Sequence, residues 1–260
     1  MKTLLAIDAL QILRRAYETL PEGEPAQRAA DGMRSALATV RGLVELHAPS
    51  HLLVTVDAGG QSWRHLRHPP YRSSRKPMPE ALAEGLPDYL AELAAFGVEA
   101  FHKPGHESVD VIATACLRWL EEGRGVAIAC SASRELLALL PRGLQVWDAA
   151  RREWHDAGWV ERKYGVPPAL LTDYFACCGD PDDDIPGIDR VGGKTAAKLL
   201  NAHGSLEAVF AGPGTLLDAT GRHLRAGHAD ALLSRELVTP KTDLRLGLTW
   251  RSLQLPASSS

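Results

Sequence analysis

Four aspartates lie within five positions in the second half of the chain: Asp180, Asp182, Asp183 and Asp184. Carboxylates this close together repel one another unless a cation neutralises them. Carboxylate oxygens are also the ligands that Mg²⁺ and Mn²⁺ prefer in proteins. The spacing therefore favours a divalent-metal site, and the alternative is a solvated acidic loop.

Two more aspartates end short apolar runs near the start of the chain. Asp8 follows the run Leu4–Ile7, and Asp57 follows a second run at 51–56; each run is typical of a buried β-strand. In parallel α/β sheets, ligands bind at the carboxyl ends of the strands. Either aspartate alone would be interpreted as a helix cap or a turn residue. Together they favour a metal site at one edge of a sheet.

The stretch 58–79 is basic and contains no acid; we call it the basic segment. Its cations and rings are Trp63, Arg64, His65, Arg67, His68, Tyr71, Arg72, Arg75 and Lys76. Permanent positive charge beside aromatic rings is typical of a surface that contacts phosphates and stacks on bases. The alternative is a solvated loop.

A glycine-rich turn follows the acidic run. In Gly192-Gly193-Lys194-Thr195, the glycines would expose backbone N–H groups at the start of a helix, which predicts a phosphate contact that Lys194, Thr195 and Lys198 supplement. A nucleotide-binding P-loop is excluded, because the first glycine of that motif is missing and no buried strand precedes the turn.

The elements that must position these groups alternate between strand and helix in the first part of the chain. A third apolar run at 126–130 and a helical spacing of apolar residues over 109–122 accompany the two strands above. This alternation predicts a parallel α/β sheet. After Trp154 the pattern changes to short helical segments, so we place a domain boundary near residue 158, with a smaller helical domain beyond it.

The run GDxxDxIPGxxxxGxKTA, here Gly179 to Ala196, resembles the helix–hairpin–helix element of the 5′ nuclease or flap endonuclease family. That family includes stand-alone bacterial exonuclease IX proteins and the N-terminal domain of bacterial DNA polymerase I. Other segments fall in the family's order along nearly the whole chain: Asp8 in LLAIDAL, Asp57 in VDAGGQSWRH, and residues 71–79, 107–110, 163–168 and 237–243.

The resemblance implies an α/β, PIN-like parallel sheet with a helical arch over residues 1–158, and a helical helix–hairpin–helix DNA-binding domain over residues 159–255. It implies a 5′-3′ exonuclease or flap endonuclease that uses Mg²⁺ or Mn²⁺ on branched or nicked DNA, with K⁺ bound at the hairpin. The carboxylates that match the family's metal ligands are Asp8, Asp57, Glu107, Asp110, Asp180 and Asp183. The expected DNA contacts are Arg64, Tyr71, Arg72, Arg75, Arg190, Val191, Gly192, Gly193, Lys194 and Thr195. The backbone oxygens expected around K⁺ are those of Cys177, Cys178, Pro186, Ile188 and Val191.

Three of the family's carboxylates are missing. Residues 107–110 read Glu-Ser-Val-Asp and residues 132–134 read Ala-Ser-Arg, so that Val109, Ala132 and Arg134 stand where the family has aspartate. Fewer anionic ligands weaken the attraction for a pair of divalent ions. The Arg134 guanidinium would oppose a metal or contact phosphate directly.

Three functions therefore stay open: a 5′ nuclease with a depleted metal site, a family member that binds branched DNA without cutting it, and an RNA-cutting PIN-type nuclease. The full-length resemblance favours the first, the lost ligands favour the second, and the helix–hairpin–helix element favours DNA over RNA. Glu135 is a candidate replacement ligand, although a solvated acid in the first turn of a helix is the expected interpretation.

Composition sets the remaining limits. The 260 residues carry a formal net charge of −3, which by itself does not indicate nucleic acid as a partner. No apolar run approaches the ~20 residues of a membrane span, and the run before Asp8 is too short for a signal peptide. We therefore expect a cytoplasmic protein with no membrane partner. The four cysteines form no CxxC pair and are expected to be buried apolar residues, and residues 256–260 are expected to be a disordered tail.

Overall fold

One six-stranded sheet forms the centre of the computed structural model, within the residues that the structure describes (2–95, 99–212 and 218–256). Its strands are β1 (Lys2–Asp8), β2 (His51–Thr55), β3 (Ala100–Phe101), β4 (Gly125–Cys130), β5 (Gln145–Asp148) and β6 (Glu153–Trp154). They lie in the order β3-β2-β1-β4-β5-β6, and every pair is parallel except β5 with β6. The predicted α/β class with a parallel-dominant sheet is confirmed.

Helices cover the sheet and form the second part of the chain. Those that follow the strands of the first part are α1 (Ala9–Glu18), α2 (Pro25–His47), α3 (Trp63–Arg67), α4 (Glu80–Glu84), α5 (Leu86–Ala95) and α6 (Ser108–Glu121). Those beyond the sheet are α7 (Ala157–Tyr164), α8 (Leu171–Cys178), α9 (Gly193–His203), α10 (Leu206–Ala211), α11 (Ala219–Ala226) and α12 (His228–Val238). A 3-10 helix at Arg134–Arg142 follows β4.

Strand β1 is buried on both faces, which explains its unbroken apolar run. Leu4 and Ala6 face one core, which includes α6 and the second part of the chain, whereas Leu5 and Ile7 face a second core that includes α1 and α2. All four side chains are fully buried. This alternation follows from the two-residue period of a strand, and it fixes Asp8 at the carboxyl edge of the sheet.

That carboxyl edge collects the chain's acids. Strand β1 pairs with β2 on one side and with β4 on the other, so that Asp8 lies opposite Thr55 and Ile7 opposite Cys130. Asp57 follows β2 at the same edge. Because the chain first extends the sheet to one side of β1 and then crosses to the other side, a crevice opens here, and ligands bind in such crevices.

The resemblance implies a helical arch in this part of the chain, and helices α3, α4 and α5 lie between β2 and β3. Helices α4 and α5 pack against α2, where Leu82, Tyr89 and Leu93 are fully buried. The basic segment precedes these helices and lies against the acidic run of the second part of the chain, through a hydrogen bond from the Arg72 N–H to the Asp183 carbonyl oxygen at 3.0 Å.

The second part of the chain is helical, as predicted from the change in pattern after Trp154. Helix α8 packs against α12 and α9, and one apolar core runs from Leu4 of the sheet to Leu237 of α12. The boundary predicted near residue 158 falls within α7. No helix of the described residues is both long and apolar enough to cross a membrane. Of the predicted tail 256–260, all but the exposed Pro256 lie outside the described residues.

Candidate active site

Asp8 and Asp57 meet at the carboxyl edge of the sheet, and we call them the strand-edge pair. Asp8 caps α1 by accepting a hydrogen bond from the Gln11 N–H at 3.1 Å, and Asp57 accepts one from the Ser108 N–H, at the start of α6, at 2.8 Å. Both line a cavity of about 300 Å³. Burial, and then the negative charge of Asp57, raise the pKa of Asp8 to about 7. The two carboxylates thus repel each other, which a bound cation would relieve.

Asp110 is held inside the protein by an arginine. It is fully buried and accepts hydrogen bonds from both terminal nitrogens of Arg64 at 2.9 and 3.0 Å, from the Trp63 indole at 3.0 Å and from the Lys241 backbone N–H at 2.9 Å. Burial alone would raise the pKa of Asp110, but the Arg64 charge and these hydrogen bonds hold it below its usual value. Its role is to join the basic segment, α6 and the segment after α12.

Glu107, the cap of α6, is also occupied by protein donors. Its carboxylate accepts hydrogen bonds from the Ser62 hydroxyl at 2.7 Å, the Tyr71 hydroxyl at 3.1 Å and the Arg72 Nη1 at 2.9 Å. The side chain is 7% exposed. Glu107 therefore anchors the basic segment to α6.

Two arginines from the first part of the chain pair with three of the four aspartates in the acidic run at residues 180–184, which we call the acidic loop. Arg72 donates two hydrogen bonds to the Asp183 carboxylate, at 2.8 and 3.1 Å. Its remaining terminal nitrogen donates one to the Glu107 carboxylate. Arg134 forms ion pairs with Asp180 and Asp182. Both arginines thus connect the sheet side of the site to the hairpin side.

The three residues that replace the family's aspartates have different surroundings in the structure. Val109 is 3% exposed and belongs to the core, while Ala132 is exposed and donates its backbone N–H to the Gln11 side-chain oxygen. Arg134 begins the 3-10 helix that follows β4. The sequence leaves two roles open for the guanidinium, which are to oppose a metal or to contact phosphate. The structure shows neither; the guanidinium pairs with carboxylates of the acidic loop.

Glu135 is not the solvated acid that the sequence predicts. It is half-buried and lines a cavity of about 200 Å³ together with Arg72, Arg75, Arg134 and Asp183. Burial raises the pKa of its carboxyl group. The expectation failed because a helix-start pattern does not reveal which face of the turn the second part of the chain covers.

The fit of these residues to divalent metal differs between the two sides of the site. Within the ranges 2–95, 99–212 and 218–256, no three His, Cys, Asp or Glu side chains converge as a metal-binding group. Four of the six predicted metal ligands, Glu107, Asp110, Asp180 and Asp183, are paired with arginine. The strand-edge pair makes no ion pair among the described residues. Because Mg²⁺ binds through one or two carboxylates plus water and substrate phosphate, the strand-edge pair fits one such ion and the acidic loop does not.

Two of the predicted DNA contacts are buried inside the protein. Arg64 and Tyr71 are 0% and 1% exposed, and both are occupied with the α6 cap residues described above. Arg64 also donates from Nε to the Leu237 carbonyl oxygen at 2.7 Å. A charged or aromatic residue in a basic run is usually solvated, but here the buried acids of α6 draw these two side chains inward.

The remaining residues of the basic segment divide between site and surface. Arg72 is 18% exposed and is committed to Asp183 and Glu107. Arg75 is exposed and lines both cavities of the site. The basic segment also contacts the acidic loop through Asp184, which accepts a hydrogen bond from the Ser74 backbone N–H at 2.8 Å.

The hairpin presents an exposed turn at the start of α9. Arg190, Gly192 and Lys194 are exposed, Gly193 and Thr195 are half-buried and Val191 is 3% exposed. Gly192 caps α9 without a side-chain hydrogen bond, which leaves the first N–H groups of this helix without a side-chain partner. A Cβ on Gly193 would overlap the Tyr174 hydroxyl, so a larger residue here would have to displace that side chain. A helix start of this kind can bind an anion.

The residues whose backbone oxygens are predicted to bind K⁺ lie in two segments that pass close together, and this site stays a prediction. The Cys177 carbonyl oxygen accepts a hydrogen bond from the Ile188 N–H at 2.7 Å, and the Ile188 oxygen accepts one from the Val191 N–H at 3.0 Å. Cys178 and Pro186 lie where the chains pass closely, since a Cβ on Gly187, whose φ is +66°, would lie 2.5 Å from the Cys178 carbonyl carbon. Cys116, Cys130 and Cys177 are buried and Cys178 is half-buried.

Sequence reasoning missed several residues of the site. Asp182 and Asp184 were visible in the acidic run, but nothing in the sequence showed that they bind Arg134 and Ser74. Gln11 lines three cavities at this edge. The contact of Lys241 with Asp110 is made by its backbone, so its side-chain type gave no signal.

Comparisons with known proteins agree with this architecture. The family model of the 5′-3′ exonuclease N-terminal resolvase-like domain matches residues 3–165, and that of the 5′-3′ exonuclease C-terminal SAM fold matches residues 166–260. A protein named flap endonuclease Xni from Pectobacterium carotovorum is 33% identical over 98% of this chain and 96% of its own length, and one from Shewanella amazonensis is 34% identical over 99% and 100%.

Solved structures share the fold. The T5 D15 protein co-crystallised with metal ions superposes with a TM-score of 0.75 at 18% identity, covering 93% of this chain and 90% of that one. The catalytic core of Rad2 in complex with DNA substrate superposes with a TM-score of 0.56 at 11% identity, covering 93% and 80%. The PIN-like sheet followed by a helical domain is thus an architecture that this chain shares with both.

Proposed function

This chain belongs to the 5′-3′ exonuclease family, and from that premise we propose that it is a flap endonuclease that hydrolyses phosphodiester bonds in branched or nicked DNA with the help of one divalent ion. The observation that carries the proposal is the strand-edge pair: two carboxylates at the ligand-binding edge of the sheet, held by the N–H groups of two helix starts and paired with no arginine among the described residues. The metal site is depleted, because Val109, Ala132 and Arg134 stand where the resemblance implies carboxylates.

Asp8 and Asp57 would hold Mg²⁺ or Mn²⁺ in this proposal. The ion supplies Lewis-acid polarisation of the phosphate and a water of lowered pKa. The protein contributes position: the Gln11 and Ser108 N–H groups fix the two carboxylates, and the cavity that they line also contains Arg75. Exposed guanidinium groups of this kind bind phosphate oxygens with two parallel hydrogen bonds.

The DNA duplex would lie across the hairpin and the basic segment. Four cations of these two segments are exposed: Arg75 and Lys76 in the basic segment, and Arg190 and Lys194 at the hairpin. Binding of a phosphate at the N-terminus of α9 needs no particular base, as expected for a protein that recognises DNA structure rather than sequence. K⁺ at the carbonyl oxygens of residues 177, 178, 186, 188 and 191 would steady this turn.

A second function is favoured by one observation, the arginine pairing of four predicted ligands. If that pairing leaves too little affinity for metal, the chain binds branched DNA without cleaving it. The cytoplasmic location and a role in DNA replication and repair stay predictions that follow from the sequence and the family.

The test is incubation of the full chain with an end-labelled 5′-flap duplex in Mg²⁺, Mn²⁺ or chelator, beside the variant Asp8→Ala. We expect metal-dependent release of the flap by the wild type and none by the variant. Retained binding with no cleavage in either metal would overturn the nuclease and support the second function.

A further inference from the structure

The side of the site at the acidic loop does not fit a divalent ion, and an arginine lies in its place. We propose that Arg134 is a resident cation that substitutes for a second metal: it permanently offsets part of the negative charge of the acidic loop, so that the DNA backbone can approach this side without any ion being bound there. The inference rests on the proposed function only in taking DNA as the ligand.

The contacts of Arg134 are those of a cation between ligands. Its Nη1 lies 2.5 Å from the Asp180 Oδ1, and its Nη2 pairs with Asp182. Asp180 is 7% exposed, so its charge is poorly screened by water and needs a partner inside the protein. The guanidinium uses two of its five N–H groups in these pairs, and its side chain remains 33% exposed toward the cavity.

The position of Arg134 in the chain strengthens this reading. The resemblance places an aspartate at this position, where it would add a negative charge to the acidic loop. An aspartate in place of Arg134 changes the local charge by two, and an aspartate at Ala132 adds a third unit. Without Arg134, the cavity would hold four carboxylates and only two arginines; the carboxylates are those of Glu135, Asp180, Asp182 and Asp183, and the arginines are Arg72 and Arg75.

An arginine differs from a metal ion in one testable respect. Its charge is fixed, since the guanidinium stays protonated at any physiological pH, and a chelator cannot remove it. If Arg134 does the work of an ion, DNA binding by the wild type needs no divalent ion at the acidic loop. Once Arg134 is removed, the freed carboxylates repel the DNA backbone until a divalent ion neutralises them.

The experiment measures binding of a 5′-flap duplex to wild type, Arg134→Ala and Arg134→Lys, in chelator and in Mg²⁺ or Ca²⁺, at fixed ionic strength. We expect the alanine variant to bind about tenfold more weakly than wild type in chelator, and to recover to within about threefold when the divalent ion is added. The lysine variant, which keeps the charge, should stay close to wild type. Arg142→Ala is the matched control, since Arg142 ends the same 3-10 helix and pairs with Glu121 at the surface.

Rescue by a divalent ion separates the proposal from a merely structural role. A variant that binds weakly because its loop is misfolded gains nothing specific from the ion, and its thermal unfolding temperature shows the damage directly. The proposal is overturned if Arg134→Ala binds DNA in chelator as tightly as wild type, or if its loss of affinity is the same with and without the ion.

A second measurement needs no DNA. Titration of Mn²⁺ followed by electron paramagnetic resonance should show one more bound ion in Ala132→Asp/Arg134→Asp than in wild type, because this variant restores the carboxylates and removes the cation. Equal stoichiometry would contradict the substitution of arginine for metal. Neither measurement depends on cleavage, so a wild type that binds DNA but never cuts it refutes the nuclease and leaves this inference standing.

Discussion

The strand-edge pair and the acidic loop are both built from aspartates, yet they differ in what balances their charge. Asp8 and Asp57 accept hydrogen bonds from backbone N–H groups at the starts of α1 and α6. Three of the four aspartates of the acidic loop are paired with arginines that extend from the first part of the chain. The first region is held in position by backbone N–H groups and has no arginine partner among the described residues, whereas most of the second is already paired with cations.

The difference follows from the elements that carry each region. Helix starts offer partial positive charge, of about half a unit each, which orients a carboxylate without cancelling it. An arginine side chain supplies a whole charge and a planar fork that matches a carboxylate. The comparison teaches that the number of acids in a site does not give its capacity for metal, because capacity depends on which acids are still without a cation.

The variant Asp8→Ala removes one of the two carboxylates of the strand-edge pair, and its effect should be the largest. Loss of one of two ligands should lower cleavage of a 5′ flap by about a thousandfold or more, since a bound metal is worth several kcal/mol in such reactions. Binding of the same DNA in chelator should stay within about threefold. Asp31→Ala, at an exposed ion pair on α2, is the control and should cleave as wild type does. A loss of less than tenfold in Asp8→Ala would show that the metal binds elsewhere.

The variant Arg64→Met tests the acid that belongs to neither region, Asp110. Removal of the arginine leaves a buried carboxylate without a cation, which should lower the free energy of unfolding by roughly 3 kcal/mol, measured by urea denaturation. Adding Asp110→Leu should recover part of this loss, because the orphaned charge is then removed. A small loss of stability combined with a large loss of DNA affinity would instead restore Arg64 as a DNA contact.

The variant Asp183→Asn tests the acidic loop, where Asp183 pairs with Arg72. Because Asp183 is paired with Arg72 rather than left for a metal, its loss should lower kcat/KM for flap cleavage by only about tenfold, the equivalent of one charged hydrogen bond. A loss as large as that of Asp8→Ala would mean that both regions hold metal, and the distinction between them would fail.

Much of the fold could be predicted from the sequence because its strong patterns are local. The runs that became β1, β2 and β4 are buried on both faces, so each is a continuous apolar stretch. Helix α2 and strands β3, β5 and β6 were not predicted. The two-residue strands β3 and β6 are too short to show a period, and the 23 residues of α2 include glycine and polar residues that weaken its apolar pattern.

The candidate site was predictable in its residue types and not in its pairings. The motif predicted Asp8, Asp57 and Asp180 in one site, and the two cavities that they line share Gln11 and Arg75. It gave no sign that Arg64 turns inward to Asp110, or that Arg134 spans 46 residues of sequence to reach Asp180. Such contacts depend on how the helical part packs on the sheet, which no local pattern records.

The variant Lys194→Ala tests whether DNA contacts extend beyond both acidic regions to the hairpin, and its effect should be the smallest. Lys194 is exposed in the first turn of α9, where the backbone N–H groups already favour an anion. Losing one phosphate contact should weaken binding of flap DNA only severalfold, and it should reduce the slope of log affinity against log salt concentration by about one. The Arg142→Ala variant removes a positive charge far along the 3-10 helix and should leave the slope unchanged. If the slope is also unchanged in Lys194→Ala, the duplex does not contact the hairpin, and the acidic loop becomes the outer limit of the DNA surface.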